Sequence, residues 1–363
     1  MTVEIPSFAK INLGLRIGEL RGDGFHELRT VYQTIALHDV IRVSVERGSG
    51  VEIRCEDDRV PTDSTNTCWQ VTELTTAALK LRGRIIIEIE KRLPVQGGLG
   101  GASGNAVVAL LGLERATGKK LSPAERRRIA AEVGSDLPLF LIGGTVLGVG
   151  RGEEVYPLPD LLAMPCVIAL PEIAVSTPKA FADWDRLCGA GTLAREGTTG
   201  KGTPSSRAVR AQEEPYGTAE SRALPASGDL KLKNPAPSDR MSLFSRELSA
   251  WLSAASEGSS RAAGVSSRAG GRAENLLLDL VRTGIENDFE RVVFPQYPEL
   301  REVKRVLERA GAKYASLSGS GSAIYGLFES REKAVAAAKT ASVNVGAGRV
   351  DCAPQGGMIS RDV

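Results

Sequence analysis

Residues 94–106 read Pro-Val-Gln-Gly-Gly-Leu-Gly-Gly-Ala-Ser-Gly-Asn-Ala, with four glycines in the five positions 97–101. The chemistry open to such a stretch is anion binding. Glycine lets the backbone approach an oxyanion closely and adopt positive φ. The first N–H groups of a following helix have no partner within it, and the helix dipole adds about half a positive charge at that end. Ser103 adds a hydroxyl for a phosphate oxygen or a bound magnesium ion. The loop does not end in the Gly-Lys-Ser or Gly-Lys-Thr of a P-loop. No acidic residue follows where a dinucleotide fingerprint needs one. A flexible turn without a ligand is the competing reading, and the setting between a strand and a helix favours the phosphate cradle.

That setting is itself read from pattern. Residues 85–90 (Ile-Ile-Ile-Glu-Ile-Glu) form a short β-branched run that predicts a strand. An Ala-, Val- and Leu-rich helix is predicted over 103–116, stopped by Gly118. Upstream, Ile11, Leu13, Leu15 and Ile17 alternate with Lys10, Asn12, Gly14 and Arg16. This period of two predicts a strand with one buried face, so Lys10 and Asn12 share the face opposite the core. Further strands are expected at 40–45, 51–55 and 142–149, and helices at 66–81, 123–133 and 299–310. Residues 314–328 read as strand, Gly-rich turn, strand. Residues 189–240 are rich in Gly, Ser, Thr, Arg, Pro and Ala without sustained period, which predicts a disordered insertion. Helices at 244–255 and 274–280 are expected beyond it, separated by a small-residue loop at 258–271.

A chain of 363 residues suggests two domains. Its formal net charge of +2 gives no ground for a nucleic-acid or membrane partner. The five cysteines are scattered and never spaced C-x-x-C, which argues against a disulfide framework or a structural zinc site. The start of the chain does not read as a signal peptide, and no apolar run reaches the roughly 18 residues of a spanning helix. A cytoplasmic monomer or homodimer is expected.

Residues 94–106 resemble the second motif of the GHMP kinases, Pro-x-x-x-Gly-Leu-Gly-Ser/Gly-Ser-Ser. Six further stretches resemble the branch of that family acting on a cytidine-diphosphate-linked polyol. They are Phe8-Ala9-Lys10-Ile11-Asn12-Leu13, Asp23-Gly24-Phe25-His26-Glu27-Leu28-Arg29-Thr30, Gly134-Ser135-Asp136-Leu137-Pro138-Leu139-Phe140, Val175-Ser176-Thr177-Pro178-Lys179-Ala180-Phe181, Asn287-Asp288-Phe289-Glu290 and Leu317-Ser318-Gly319-Ser320-Gly321-Ser322-Ala323. The matches are collinear and cover most of the chain outside 189–240. Ala102 and Gly104 stand where the family usually has Gly and Ser, and Phe25 stands where it commonly has Tyr.

The resemblance implies an α+β, two-domain GHMP kinase fold. A ribosomal-protein-S5-like domain would span 1–160 and a ferredoxin-like domain 161–363. It implies ATP-dependent phosphorylation of the 2-hydroxyl of a cytidyl-linked methylerythritol, with Mg2+, in non-mevalonate isoprenoid synthesis. Lys10 and Asp136 would be catalytic. ATP would contact Asn66, Pro94, Gly97, Gly98, Leu99, Gly100, Gly101, Ala102, Ser103 and Gly104. The substrate would contact Asn12, Phe25, His26, Thr177, Phe181, Gly319, Ser320 and Gly321. The sequence offers no convincing carboxylate ligand for magnesium, so phosphates, Ser103 and water would supply its coordination. Read alone, Asp136 also suits a helix N-cap or turn, Lys10 a solvated strand edge, Asn66 an N-cap and 319–322 a plain hairpin. Another GHMP kinase (for homoserine, mevalonate or a sugar) and a non-catalytic nucleotide sensor are the rival functions.

Overall fold

The computed structural model describes residues 2–95, 97–159, 161, 163–189, 286–344 and 349–352. The expected insertion from residue 190 onward, the helices at 244–255 and 274–280 and the loop at 258–271 lie outside the described residues. The chain opens with two long antiparallel strands, β1 (Thr2–Leu20) and β2 (His26–Glu46). Then follow β3 (Gly50–Cys55), α1 (Thr67–Leu79), β4 (Arg84–Glu90), α2 (Gly101–Thr117), α3 (Pro123–Val133), α4 (Leu137–Phe140), β5 (Thr145–Val149) and β6 (Glu154–Pro157). These strands form a six-stranded sheet in the order β3-β4-β2-β5-β6, with β1 also on β2. β2 gives one edge to β1 and divides the other between β4 at Val40–Glu46 and β5 at Thr30–Gln33.

A second, antiparallel sheet takes β7 (Cys166–Leu170), β8 (Tyr314–Leu317), β9 (Ile324–Leu327) and β10 (Arg349–Cys352) in the order β10-β7-β9-β8. Its helices are α5 (Thr177–Cys188), α6 (Glu290–Gln296), α7 (Pro298–Arg309) and α8 (Arg331–Asn344). The β1–β2 hairpin feeds three apolar cores. Ile41 and Val43 pack with Val107 and Leu110 of α2; Ile11, Leu13 and Val31 pack with Ile168 and Tyr325 of the second sheet; Leu15 and Ile17 pack with Trp184, Phe289 and Leu317. Both sheets are therefore bolted to one hairpin.

The strand expected around residues 10–17 is present but far longer, and its polar face is not open. Lys10, Asn12 and Arg16 are all buried. Such burial is tolerable only with partners for each polar group. Arg16 pairs with the fully buried Asp288 at 3.0 Å, and Asp288 also accepts from the Ile17 N–H at 3.0 Å. Asp288 arrives on a short segment that runs beside β1, with the Leu15 N–H donating to Glu286 O and the Asp288 N–H to Leu15 O. The helix after the glycine loop starts at Gly101 rather than 103, and the strand expected at 142–149 shortens to β5 behind a Gly143–Gly144 turn.

Candidate functional site

The two glycine loops meet over β1. The Lys10 N–H donates to Leu99 O at 2.9 Å, which lays the first loop across the strand. Gly100, at φ 70°, is the N-cap of α2, and a Cβ there would lie 2.8 Å from the Phe140 ring and 3.0 Å from the Lys10 Cγ. Only glycine lets the chain turn left-handed in that space. The second loop, residues 318–322, joins β8 to β9, and its Ser318 Oγ donates to Gly98 O at 2.9 Å. The buried Asn287 amide donates to Leu317 O at 2.8 Å and Gly319 O at 2.7 Å, so one side chain fixes the entry to the turn.

Beneath the loops, Lys10 Nζ donates to Asn12 Oδ1 at 2.7 Å and lies 3.5 Å from Asp136 Oδ2. Asn12 Nδ2 donates to Thr30 Oγ1 at 2.7 Å, leaving its second N–H for a ligand. Asp136 does occupy the N-cap position of α4, yet its side chain makes no capping bond. The carboxylate turns instead to Lys10 and to Tyr32, whose hydroxyl donates to Oδ1 at 3.1 Å. Beside the N-terminus of α2, a carboxylate so placed is able to take a proton from an alcohol, and the ammonium next to it to steady the resulting negative charge.

Two cavities flank this point. The first, about 360 Å³, is walled by Asn66, Thr67, Cys68, Lys91, Pro94 and loop residues Gly97 to Ser103. Its stem is held by the fully buried Asp39, which accepts from the Arg92 and Leu93 N–H groups at 2.7 and 2.6 Å, Lys91 Nζ at 2.7 Å and Asn105 Nδ2 at 2.9 Å. Asn66 caps α1 through the Cys68 N–H at 2.8 Å and donates to Pro61 O at 2.6 Å, so the capping role is real and its amide is already engaged. Gly104 does not reach this cavity. A Cβ there would meet Ser7 Oγ at 3.0 Å and Phe8 O at 3.1 Å, so that position packs α2 onto β1. Burial pushes the Cys68 thiol up to about 12. Alkylating reagents at neutral pH are expected to spare Cys68 in the folded protein and modify it in urea, as peptide mass mapping will read.

The second cavity, about 650 Å³, is lined by Lys10, Asn12, Phe25, His26, Tyr32, Asp136, Arg151, Thr177, Phe181, Gly319 and Ser320. Gly98, Gly100 and Ser103 line both cavities. Thr177, at the start of α5, bonds Ser320 Oγ at 2.7 Å, which joins the second loop to a helix N-terminus. Gly321 is set back from the cavity, packed on Leu317. The His26 ring stacks on Phe181 with centroids 5.3 Å apart and planes 5° apart. No base fits between two rings in contact, so Phe181 does not face His26 across an open slot. Its other neighbour is Phe289, edge-on at 4.9 Å. His26 Nδ1 lies 3.1 Å from Gly18 O and Nε2 3.0 Å from Asp185. Phe25 is half-buried under the Arg151 guanidinium, 4.9 Å from its ring centroid.

Tyr32, Asp39, Arg151, Asp185 and Asn287 carry no local signal of their role. Each joins the site through a neighbour more than thirty positions away, Tyr32 through Asp136 and Asn287 through Gly319. Among the described residues no cluster of His, Cys, Asp and Glu could hold a metal, and no helix is long and apolar enough to cross a membrane.

Comparison with known proteins defines the class first. The family model described as the GHMP kinases N terminal domain matches residues 66–144, and the GHMP kinases C terminal model matches 272–342. A 4-diphosphocytidyl-2-C-methyl-D-erythritol kinase of Solibacter usitatus is 34% identical over 327 residues, 90% of this chain and 81% of that protein. The enzyme so named from Acaryochloris marina is 31% identical over 92% of this chain and 88% of its own length. A crystal structure of 4-(cytidine 5'-diphospho)-2C-methyl-D-erythritol kinase superposes with a TM-score of 0.62 at 25% identity, covering 96% of this chain and 98% of that one. A homoserine kinase from Cytophaga hutchinsonii shares the fold at TM-score 0.61 and 18% identity. The chain belongs to the 4-diphosphocytidyl-2-C-methyl-D-erythritol kinase family, within the GHMP kinases.

Proposed function

We propose that the protein transfers the γ-phosphoryl group of ATP to the 2-hydroxyl of 4-diphosphocytidyl-2-C-methyl-D-erythritol. The observation that carries this is the Lys10–Asp136 contact of 3.5 Å in the second cavity, which the first cavity adjoins through their shared lining of Gly98, Gly100 and Ser103. ATP lies in the smaller cavity with its phosphates on the N–H groups at the start of α2. The cytidine end lies toward Phe25 and His26, and the polyol reaches Asn12 and Lys10. Asp136 takes the hydroxyl proton as the substrate oxygen bonds to phosphorus and the bond to the β-phosphate oxygen breaks. Lys10 steadies the charge on the entering oxygen and the transferring group.

Magnesium, when bound, neutralises phosphate charge. The Ser103 hydroxyl, lining both cavities, suits an ion that keeps mostly phosphate and water oxygens. A coupled assay with the cytidyl-linked polyol, homoserine and mevalonate tests the reading; turnover confined to either of the latter, or none, ends it.

The substrate's diphosphate needs a cation, and Lys10 is committed to the hydroxyl end. Arg151 is the other lysine or arginine among the residues lining that cavity. Its N–H and Nε are held by Glu153 at 2.7 and 3.1 Å, which aims the remaining guanidinium nitrogens. A charge-assisted bond contributes about 1.5–3 kcal/mol, so Arg151→Met is expected to raise KM for the polyol substrate about tenfold or more. KM for ATP should stay unchanged in the same steady-state series.

A further inference from the structure

The motif residues leave one contact of Asp136 unexplained. Tyr32 comes from the middle of β2, is 2% exposed, and spends its hydroxyl on Asp136 Oδ1. Its ring lies under Lys10 Nζ, 5.6 Å from the centroid. The end of β5 and the β5–β6 connection are shaped around it. A Cβ at Gly152 would come within 2.6 Å of the Tyr32 hydroxyl, and one at Gly148 within 2.5 Å of the ring. Space for a phenol is thus built at a point where a phenylalanine would fill the same apolar volume without the hydrogen bond.

We propose that Tyr32 is a positioning residue for the base. It anchors Asp136 Oδ1, so that Oδ2, the oxygen nearer Lys10, is the one that accepts the substrate proton. This rests on the phosphoryl-transfer reading above. A carboxylate on a short turn rotates freely unless an oxygen is held, and one oxygen held fixes the plane of both. Burial, and then the charge of Asp136 itself, raise the Tyr32 phenol well above its ordinary value, so it remains a donor at every pH at which the enzyme would be assayed. The charged and titratable groups around the carboxylate are Lys10 from β1, Tyr32 from β2, and Arg151 with Glu153 from the β5–β6 connection.

Removing the hydroxyl frees Oδ1 and lets the carboxylate turn away from Lys10. In Tyr32→Phe kcat should fall about tenfold, the worth of one hydrogen bond to a charged group, with KM for ATP unchanged. The double variant with Asp136→Asn should lose no more than Asp136→Asn alone, because a positioning residue acts only through the base it holds. A role in packing alone would add its loss to that of Asp136→Asn. The carboxylate stretching bands of Asp136, isolated by infrared difference against Asp136→Asn, read the lost hydrogen bond without turnover. Superimposable bands in wild type and Tyr32→Phe overturn the proposal even if the kinase is active. Shifted bands in a protein that fails to phosphorylate the cytidyl-linked polyol uphold the Tyr32 contact and reject the substrate assignment.

Discussion

Asp136→Asn is expected to lower kcat by about three orders of magnitude while leaving KM for ATP within about twofold. The substitution preserves size and the half-exposed setting on the turn before α4, so it tests chemistry more than folding. An amide cannot accept a proton at neutral pH, and its nitrogen faces either the Lys10 ammonium or the Tyr32 hydroxyl, both of which donate in the native site. The first glycine loop is untouched, since its hydrogen bonds run to β1, to Thr67 and to residues 318–323 and none to Asp136. Steady-state kinetics with calorimetric ATP titration separate the two terms. A kcat within threefold of wild type would remove Asp136 from proton transfer.

The second large effect falls on Gly98. Its φ of 74° is left-handed, and a Cβ would lie 2.2 Å from Ser318 O and 3.0 Å from Gly321 O. Both obstacles are backbone, so neither swings aside as a side-chain tip does. The two loops must separate or deform, and the Ser318 Oγ bond to Gly98 O breaks with them. Gly98→Ala is expected to cost at least about 2 kcal/mol of stability and to abolish measurable ATP binding. Gly118→Ala is the control: it has similar φ, 70°, but nothing within 4 Å of an added Cβ. It should cost about 1 kcal/mol and leave binding intact. Equal urea midpoints for the two variants would refute the crowding argument.

Legibility in the sequence tracked the range of the interaction. The glycine loop between strand and helix was readable because its parts are adjacent. The shared face of Lys10 and Asn12 was readable because β alternation is local, but its burial was not. What covers that face is the second glycine loop, with Gly319 placed so that a Cβ would come within 3.5 Å of Lys10 Nζ. Most of β2 escaped notice because Thr30, Gln33 and Thr34 look like surface residues, whereas they are buried and bonded to Gly14 O, Thr145 and Gly144. Helix α5 carried a readable start and stop, Ser176 with Pro178 and then Gly189, that the motif resemblance alone did not bring out. The stacked His26 and Phe181 pair could not be read at all, because 155 positions separate residues whose contact depends on both sheets.

The bond from Ser318 to Gly98 spans 220 positions, and the Ala323 N–H reaches back to Gly97 O in the same way. A polypeptide leaves the ribosome N-terminus first, so Lys10, the glycines and Asp136 are all made long before the residues that lock the loop. The fastened loop is therefore a property of the finished chain. Products of stalled or truncated translation ending before residue 318 carry the charged groups without the two bonds that clasp the loop.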